Sequence, residues 1–219
     1  MAGLEIVSAP SSEPIAQSVA KTFLKVDTSD DDTLITELIK TARQFCEEYT
    51  GRALITQTLK LSLDGFVEDE RSIKEGLYQA PYLNFYKRYI SLPRPAVASV
   101  THIKTYTDDD TATTYSSSNY YLDKARNPAR VVLRDGEVWP SSLRVANAVE
   151  VTYVCGYGSA SDVPSPLVVG MKEHITYMYE HRGDVEPNLA NFPLICKQLY
   201  QPYRVLSFSS NPFGKSGGN

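Results

Sequence analysis

Between residues 29 and 51 apolar side chains recur at helical spacing: Leu34, Leu38, Ala42, Phe45 and Tyr49 form one stripe, which Ile35, Ile39 and Cys46 widen. The pattern predicts an amphipathic helix with Leu38 at the centre of its apolar face. Ser29 or Asp30 is the expected cap, and Asp31 and Asp32 fall in the first turn, where carboxylates meet the positive end of the helix dipole. Gly51 stands where the chain can leave the helix in a left-handed conformation. Upstream, Pro10-Ser11-Ser12 reads as a stop and cap before a shorter helix carrying Ile15, Val19, Phe23 and Leu24. From Leu59 the period falls to two, since Leu59, Leu61 and Leu63 alternate with Lys60, Ser62 and Asp64, as in a strand with one wet face. Similar runs follow at 97–106, 120–122, 130–133 and 149–154, the last with Val149, Val151 and Tyr153 on one face.

Turn-rich stretches at Asp108 to Asp110 and Arg134 to Gly136 separate these runs, and a charged, tyrosine-rich excursion fills residues 68–89. Pro164 and Pro166 close the β region. Helical spacing then resumes through Leu167, Met171, Ile175 and Met178 to about Gly183, and a final helix is expected from about Asn191 to Tyr200, stopped at Pro202. The fold class is therefore α+β, with N- and C-terminal helices packed as a small bundle around an inserted, mostly antiparallel β region. The expected divisions are 1–52 for the N-terminal helices, 53–163 for the β region, 164–206 for the C-terminal helices and 207–219 for a flexible tail. In that tail four Ser, three Gly, two Asn and one Pro leave too little apolar surface to build a core.

Composition adds exclusions. With 42% hydrophobic and 22% charged residues in 219, the chain is ordinary globular protein. No apolar run approaches the roughly 20 residues that cross a bilayer, and the first thirteen residues carry Glu5 and Glu13 without a basic leader, so a soluble, unsecreted protein that avoids membranes is expected. The net charge of -4 is concentrated in residues 1–52, which hold nine acidic and five basic side chains, so the excess of cations that grips a phosphate backbone is missing. Cys46, Cys155 and Cys196 are odd in number and far apart, which points to reduced core residues rather than disulfides or a zinc site.

Catalytic templates fail. There is no phosphate-binding loop, nucleophile elbow or H-E-x-x-H zinc pattern. Gly156-Tyr157-Gly158 is like a dinucleotide loop, but Ser161 stands where a third glycine belongs and an antiparallel region precedes it. His174 and His181 sit seven apart on one expected helix, too far for two ligands of one metal, and His102 is read as structural or interfacial. The acidic sets at Asp30 to Asp32, Glu68 to Glu70 and Asp108 to Asp110 lie in caps and polar loops, so no enzyme and no cofactor are expected. The interleaved aromatic and basic residues Tyr78, Tyr82, Tyr86, Arg88 and Tyr89 are candidates for contact with a neighbouring subunit or protein, because Tyr and Arg are favoured interface anchors. In the tail, Phe208, Asn211, Pro212, Phe213 and Lys215 are candidates for docking into a partner.

Taken in order, six segments resemble the head-tail connector, or adaptor, proteins of long-tailed bacteriophages and related gene transfer agents. They are Phe23 to Asp27 before the acid-capped helix, Tyr49 to Thr58, Leu92-Pro93-Arg94-Pro95 with Ser99-Val100, Val151-Thr152-Tyr153 with Gly156-Tyr157-Gly158, the helix ending Tyr179-Glu180-His181-Arg182, and Pro202-Tyr203-Arg204-Val205. The resemblance covers about residues 20 to 206 and leaves out the 68–89 excursion and the tail. It implies a head-completion protein of the virion neck, found in the host cytoplasm during assembly. About twelve copies would form a ring under the portal protein and join the DNA-filled head to the tail or to the next neck protein. Double-stranded DNA would pass through without specific binding, as an acidic chain lacking a basic stripe allows. The portal then becomes the expected partner of the tail residues. A tail-completion or stopper protein of the same neck is the alternative, and a small hydrolase with an unrecognised carboxylate site the remote one.

Overall fold

A computed structural model describes residues 3–66, 88–182 and 193–205. In chain order the elements are β1 (Gly3–Ser8), α1 (Gln17–Leu24), α2 (Asp32–Thr50), β2 (Gln57–Leu63), β3 (Tyr89–Ser91), β4 (Val97–Tyr106), β5 (Ala112–Tyr115), β6 (Tyr120–Asp123), β7 (Arg130–Leu133), β8 (Val149–Cys155), α3 (Ser165–Glu180) and α4 (Leu194–Tyr200). The strands form a five-stranded sheet ordered β1-β2-β8-β4-β5 and a three-stranded sheet ordered β3-β7-β6. Every pairing between these strands is antiparallel. The α+β class read from the sequence is the one observed.

One core lies between the sheets. Leu59, Leu61, Ile103, Val149, Val151 and Tyr153 of the larger sheet meet Ile90, Tyr120, Val131 and Leu133 of the smaller. Phe66 stacks on Trp139 at 4.4 Å. A second core joins the helices: Ile35, Ile39, Ala42 and Cys46 of α2 pack with Leu167, Met171 and Ile175 of α3 and with Cys196 and Tyr200 of α4. Gly170 is required there because a Cβ at this position would stand 2.5 Å from Cε1 of the fully buried Tyr200. Leu54 and Ile55 extend this core to the edge of the β region.

Four expectations are corrected. The buried face of α2 is the Ile35, Ile39, Ala42, Cys46 set, while Leu38 is half-buried and Phe45 is 38% exposed. Both sets have helical spacing, and the position of α3 decides which turns inward. In α1 Ala20 is buried, whereas Val19 and Phe23 are exposed, and the Phe23 ring lies under the Lys172 ammonium at 5.8 Å. Neither Ser29 nor Asp30 caps α2; Asp31 is the boundary residue, and its carboxylate turns away to accept hydrogen bonds from Tyr179 and Arg182 near the end of α3. These bonds, the Tyr179 one first, hold the Asp31 carboxyl below its ordinary value. Residues 3–8 form a strand with no sequence-level expectation behind it, so the N-terminal segment contributes to the larger sheet as well as to the helices. The final helix begins at Leu194; Asn191 lies outside the described residues.

Candidate functional site

Four of the six segments singled out in the sequence converge on the last turn of α2. Glu47, nearly buried, organises the junction: one oxygen accepts from Arg43 Nη1 at 2.8 Å, the other from the Leu54 backbone N–H at 2.8 Å and from Gln57 Nε2 at 3.0 Å. Arg43 is itself buried and donates from Nε to Glu13 at 2.6 Å. A charge withdrawn from water persists only with such partners. Through this chain residue 13, α2 and the entrance to β2 are fixed together.

The Leu92-Pro93-Arg94-Pro95 segment crosses the same turn. Arg94 adopts a left-handed backbone (φ 58°), donates from Nη1 to the Glu47 carbonyl at 2.6 Å and from Nη2 to the Glu48 carboxylate at 2.7 Å. Tyr153, fully buried in β8, donates to the Pro93 carbonyl at 2.8 Å, and burial pushes its phenol well above the usual range. The Gly156-Tyr157-Gly158 turn locks on from the other side. Tyr157 N–H donates to Leu54 O at 2.9 Å and Thr56 N–H to Gly158 O at 3.0 Å. Gly156 has φ 119°, and a Cβ there would collide with the Ile55 carbonyl at 2.4 Å. The turn is therefore a strand connection that the backbone demands, and its close neighbour is protein backbone rather than a phosphate.

Pro202-Tyr203-Arg204-Val205 completes the junction. Val205 N–H donates to Thr50 O at 2.7 Å, Arg52 Nε donates to the Tyr203 carbonyl at 2.5 Å, and the Arg204 guanidinium lies over the Tyr49 ring at 5.5 Å. Val205 also touches the space above Gly51, which ends α2 at φ 69°. The point from which the chain continues to residue 206 is thus fastened to the end of α2.

Beside this junction β1, α2 and β2 enclose an open cleft of about 420 Å³, lined by Leu4, Ile6, Lys40, Gln44, Gln57 and Arg94 among others. Sequence reading missed it because β1 was missed. The Arg43–Glu47 spacing of four residues beside an apolar stripe is the signal that would have pointed to a buried ion pair.

Of the contact residues expected from the sequence, Arg88 and Tyr89 sit together at the start of β3. Arg88 is exposed and donates to the Arg134 carbonyl at 2.9 Å; Tyr89 is half-buried with the Arg130 guanidinium 5.2 Å from its ring centre. Tyr78, Tyr82 and Tyr86 lie outside the described residues, as do Phe208, Asn211, Pro212, Phe213 and Lys215. His174 is buried against Phe45 at 5.0 Å, while His181 Nδ1 lies 2.8 Å from the Tyr177 carbonyl. Among the described residues no group of three or more His, Cys, Asp or Glu is placed to hold a metal ion, and no helix is long and apolar enough to cross a membrane. Of the acidic sets, Asp32 pairs with Lys21 at 2.5 Å and Asp110 with Arg144 at 2.9 Å, while Glu68 to Glu70 lie outside the described residues.

Comparison with solved structures defines the class of fold. A chain from the neck of an empty gene transfer agent particle, computed with C6 symmetry, superposes with a TM-score of 0.73 at 18% identity, covering 94% of this chain and 96% of that one. A chain from the virion of a native gene transfer agent particle gives 0.70 at 19% identity, covering 93% and 96%. One from the neck of a native particle, computed with C12 symmetry, gives 0.64 at 20% identity, covering 94% and 96%. No curated protein matches the chain. Residues 18–118 match the model of the phage gp6-like head-tail connector protein family.

Proposed function

We propose that this protein is a structural, non-enzymatic subunit of a virion neck, forming a ring of about twelve copies that docks under the portal and joins the DNA-filled head to the next connector or to the tail. The match of residues 18–118 to head-tail connector proteins is the observation that carries this reading. A physical argument supports it: the internal cohesion is spent on holding helices, sheet and the residue-205 exit in one rigid junction, the requirement for a load-bearing ring subunit. The acidic overall balance, -4, lets DNA phosphates pass without being held. On this reading the portal receives the tail, with Phe208 and Phe213 as anchors and Asn211, Pro212 and Lys215 beside them, and Arg88 and Tyr89, with Tyr78, Tyr82 and Tyr86, face a neighbouring subunit or neck protein.

The test is imaging of the purified protein with and without portal-bearing heads. Rings seated on the portal vertex are the expected result. Attachment only to heads that already carry another connector would make the protein a stopper or tail-completion component instead, and absence from every neck would overturn the reading.

A further inference from the structure

Among the described residues the larger sheet has two free edges, and they differ. At one edge β1 pairs only with β2, and all six of its residues are exposed. Leu4 and Ile6 lie opposite Leu61 and Leu59, so they continue the core-facing row of the sheet, yet they remain 42% and 59% exposed because the smaller sheet does not reach them. At the other edge β5 pairs only with β4; its Thr113 and Tyr115 lie opposite the buried Thr105 and Ile103 and continue the same row on the far side. Isolated proteins usually blunt such edges with prolines or inward charges. Here β1 has neither: Glu5 faces outward onto Lys60 at 2.8 Å.

The outward face identifies the occupant. Charges alternate strand by strand, with Glu5 on β1, Lys60 on β2, Glu150 on β8 and Lys104 on β4. Only β5, with Thr114 opposite Lys104, follows before the edge. Setting β1 of a second copy against β5 places a new Glu5 on the same outward face as Lys104, with only the neutral Thr114 between them, so that a carboxylate approaches a cation. Pairing β1 with β1 about a two-fold axis through Glu5 would instead set Glu5 against Glu5, an unfavourable cross-strand arrangement. Resting on the ring reading above, we propose that neighbouring subunits join by sheet extension, β1 of one copy pairing with β5 of the next, with Leu4 and Ile6 covered by the Thr113 and Tyr115 side of the neighbour. Five strands, each antiparallel to the one before it, make β1 and β5 run the same way, so the junction is parallel. Two different surfaces meet at it, the requirement for a closed head-to-tail ring. A single strand edge is well below the area of a stable binary interface, so the contact acts when the ring closes or is seated rather than between free monomers.

Disulfide trapping tests the contact. Cys46, Cys155 and Cys196 are buried, with thiols pushed up to about 12, about 12 and about 11 by burial, so introduced cysteines report alone. The full chain carrying Glu5→Cys and Thr114→Cys, assembled on portal-bearing heads and mildly oxidised, should give a ladder of cross-linked species from dimer upward on a non-reducing gel, with each single variant giving none. Ile6→Arg should leave the melting temperature of the monomer unchanged while abolishing rings. Rings seen by imaging without a ladder would overturn this contact and leave the ring reading intact. Dimers from Glu5→Cys alone would overturn it in favour of two-fold pairing. Absence of rings from all preparations would remove the ring reading, and this inference with it.

Discussion

Gly170 and Tyr200 show how one position fixes the approach of two helices. Alanine at 170 would gain about 1 kcal/mol of helix propensity, but its Cβ would fall 2.5 Å from a ring atom of a fully buried tyrosine. Overpacking of this kind costs about 1–3 kcal/mol. We expect Gly170→Ala to lower the melting temperature by several degrees, read by calorimetry; a rise would show that α4 can slide. Glu47 sets a larger penalty, since removing it takes one of the two carboxylates from the buried Arg43, leaving Glu13, and orphans the Leu54 N–H. Glu47→Ala should destabilise by about 3–5 kcal/mol in denaturant titration, the cost of breaking a buried pair from one side. Asp31 gives a pH signature. Its carboxyl is held below 3.8 by Tyr179 and then Arg182, so its contribution is present above that pH and lost as the pH falls through the lowered value. Asp31→Asn should therefore lower the melting temperature at pH 8 and flatten the acid limb, the two profiles converging as the pH falls below about 4; a parallel shift at every pH would assign the effect to shape rather than charge.

Within single elements the same logic concerns which face turns inward. Along α2, Ile39 is 3% exposed while Leu38 is half-buried, so Ile39→Asp buries a carboxylate among Ile35, Met171 and Ile175 whereas Leu38→Asp leaves it near water. The first should cost several kcal/mol in lost burial and desolvation, the second clearly less. Parallel thermal melts decide the order, and equal losses would mean that α2 rotates to accommodate either. This is also where legibility in the sequence ended. Period alone located α2, β2, β7 and β8 to within a residue or two, because each has one dry face along its whole length. It could not choose between the two overlapping stripes of α2, since a neighbouring helix makes that choice. β1, β3 and β5 escaped because strands of three to six residues at a sheet edge carry no alternation of buried and exposed positions; β1 is exposed throughout. The segments that meet at Glu47 were legible as an ordered set, but nothing in their order said that Arg94, Tyr157 and Val205 would close on one helical turn.

That closure determines how the whole molecule presents its last residues. Val205 is tied to Thr50, Tyr203 to Arg52 and Arg204 to Tyr49, so the chain passes to residue 206 from a fixed point at the end of α2 rather than from a loose helix. Thirteen extended residues from 207 reach about 43 Å. A tether whose root is rigid searches a smaller volume than one whose root also moves, so its effective concentration at a partner surface is higher. On the function proposed above, Phe208 and Phe213, five residues apart in an otherwise polar segment, are the two apolar anchors for docking. Deleting residues 207–219 should therefore leave the melting temperature unchanged, since the two cores formed by the described residues are kept, and should weaken binding to purified portal by at least tenfold, about 1.4 kcal/mol. Phe213→Ala should give part of that loss. Loosening the root instead, by Arg52→Ala, should weaken portal binding less than the deletion and chiefly by slowing association, which surface-based kinetics can separate. Unchanged affinity in the truncated protein would remove the tail from the mechanism and leave the ring face as the portal contact.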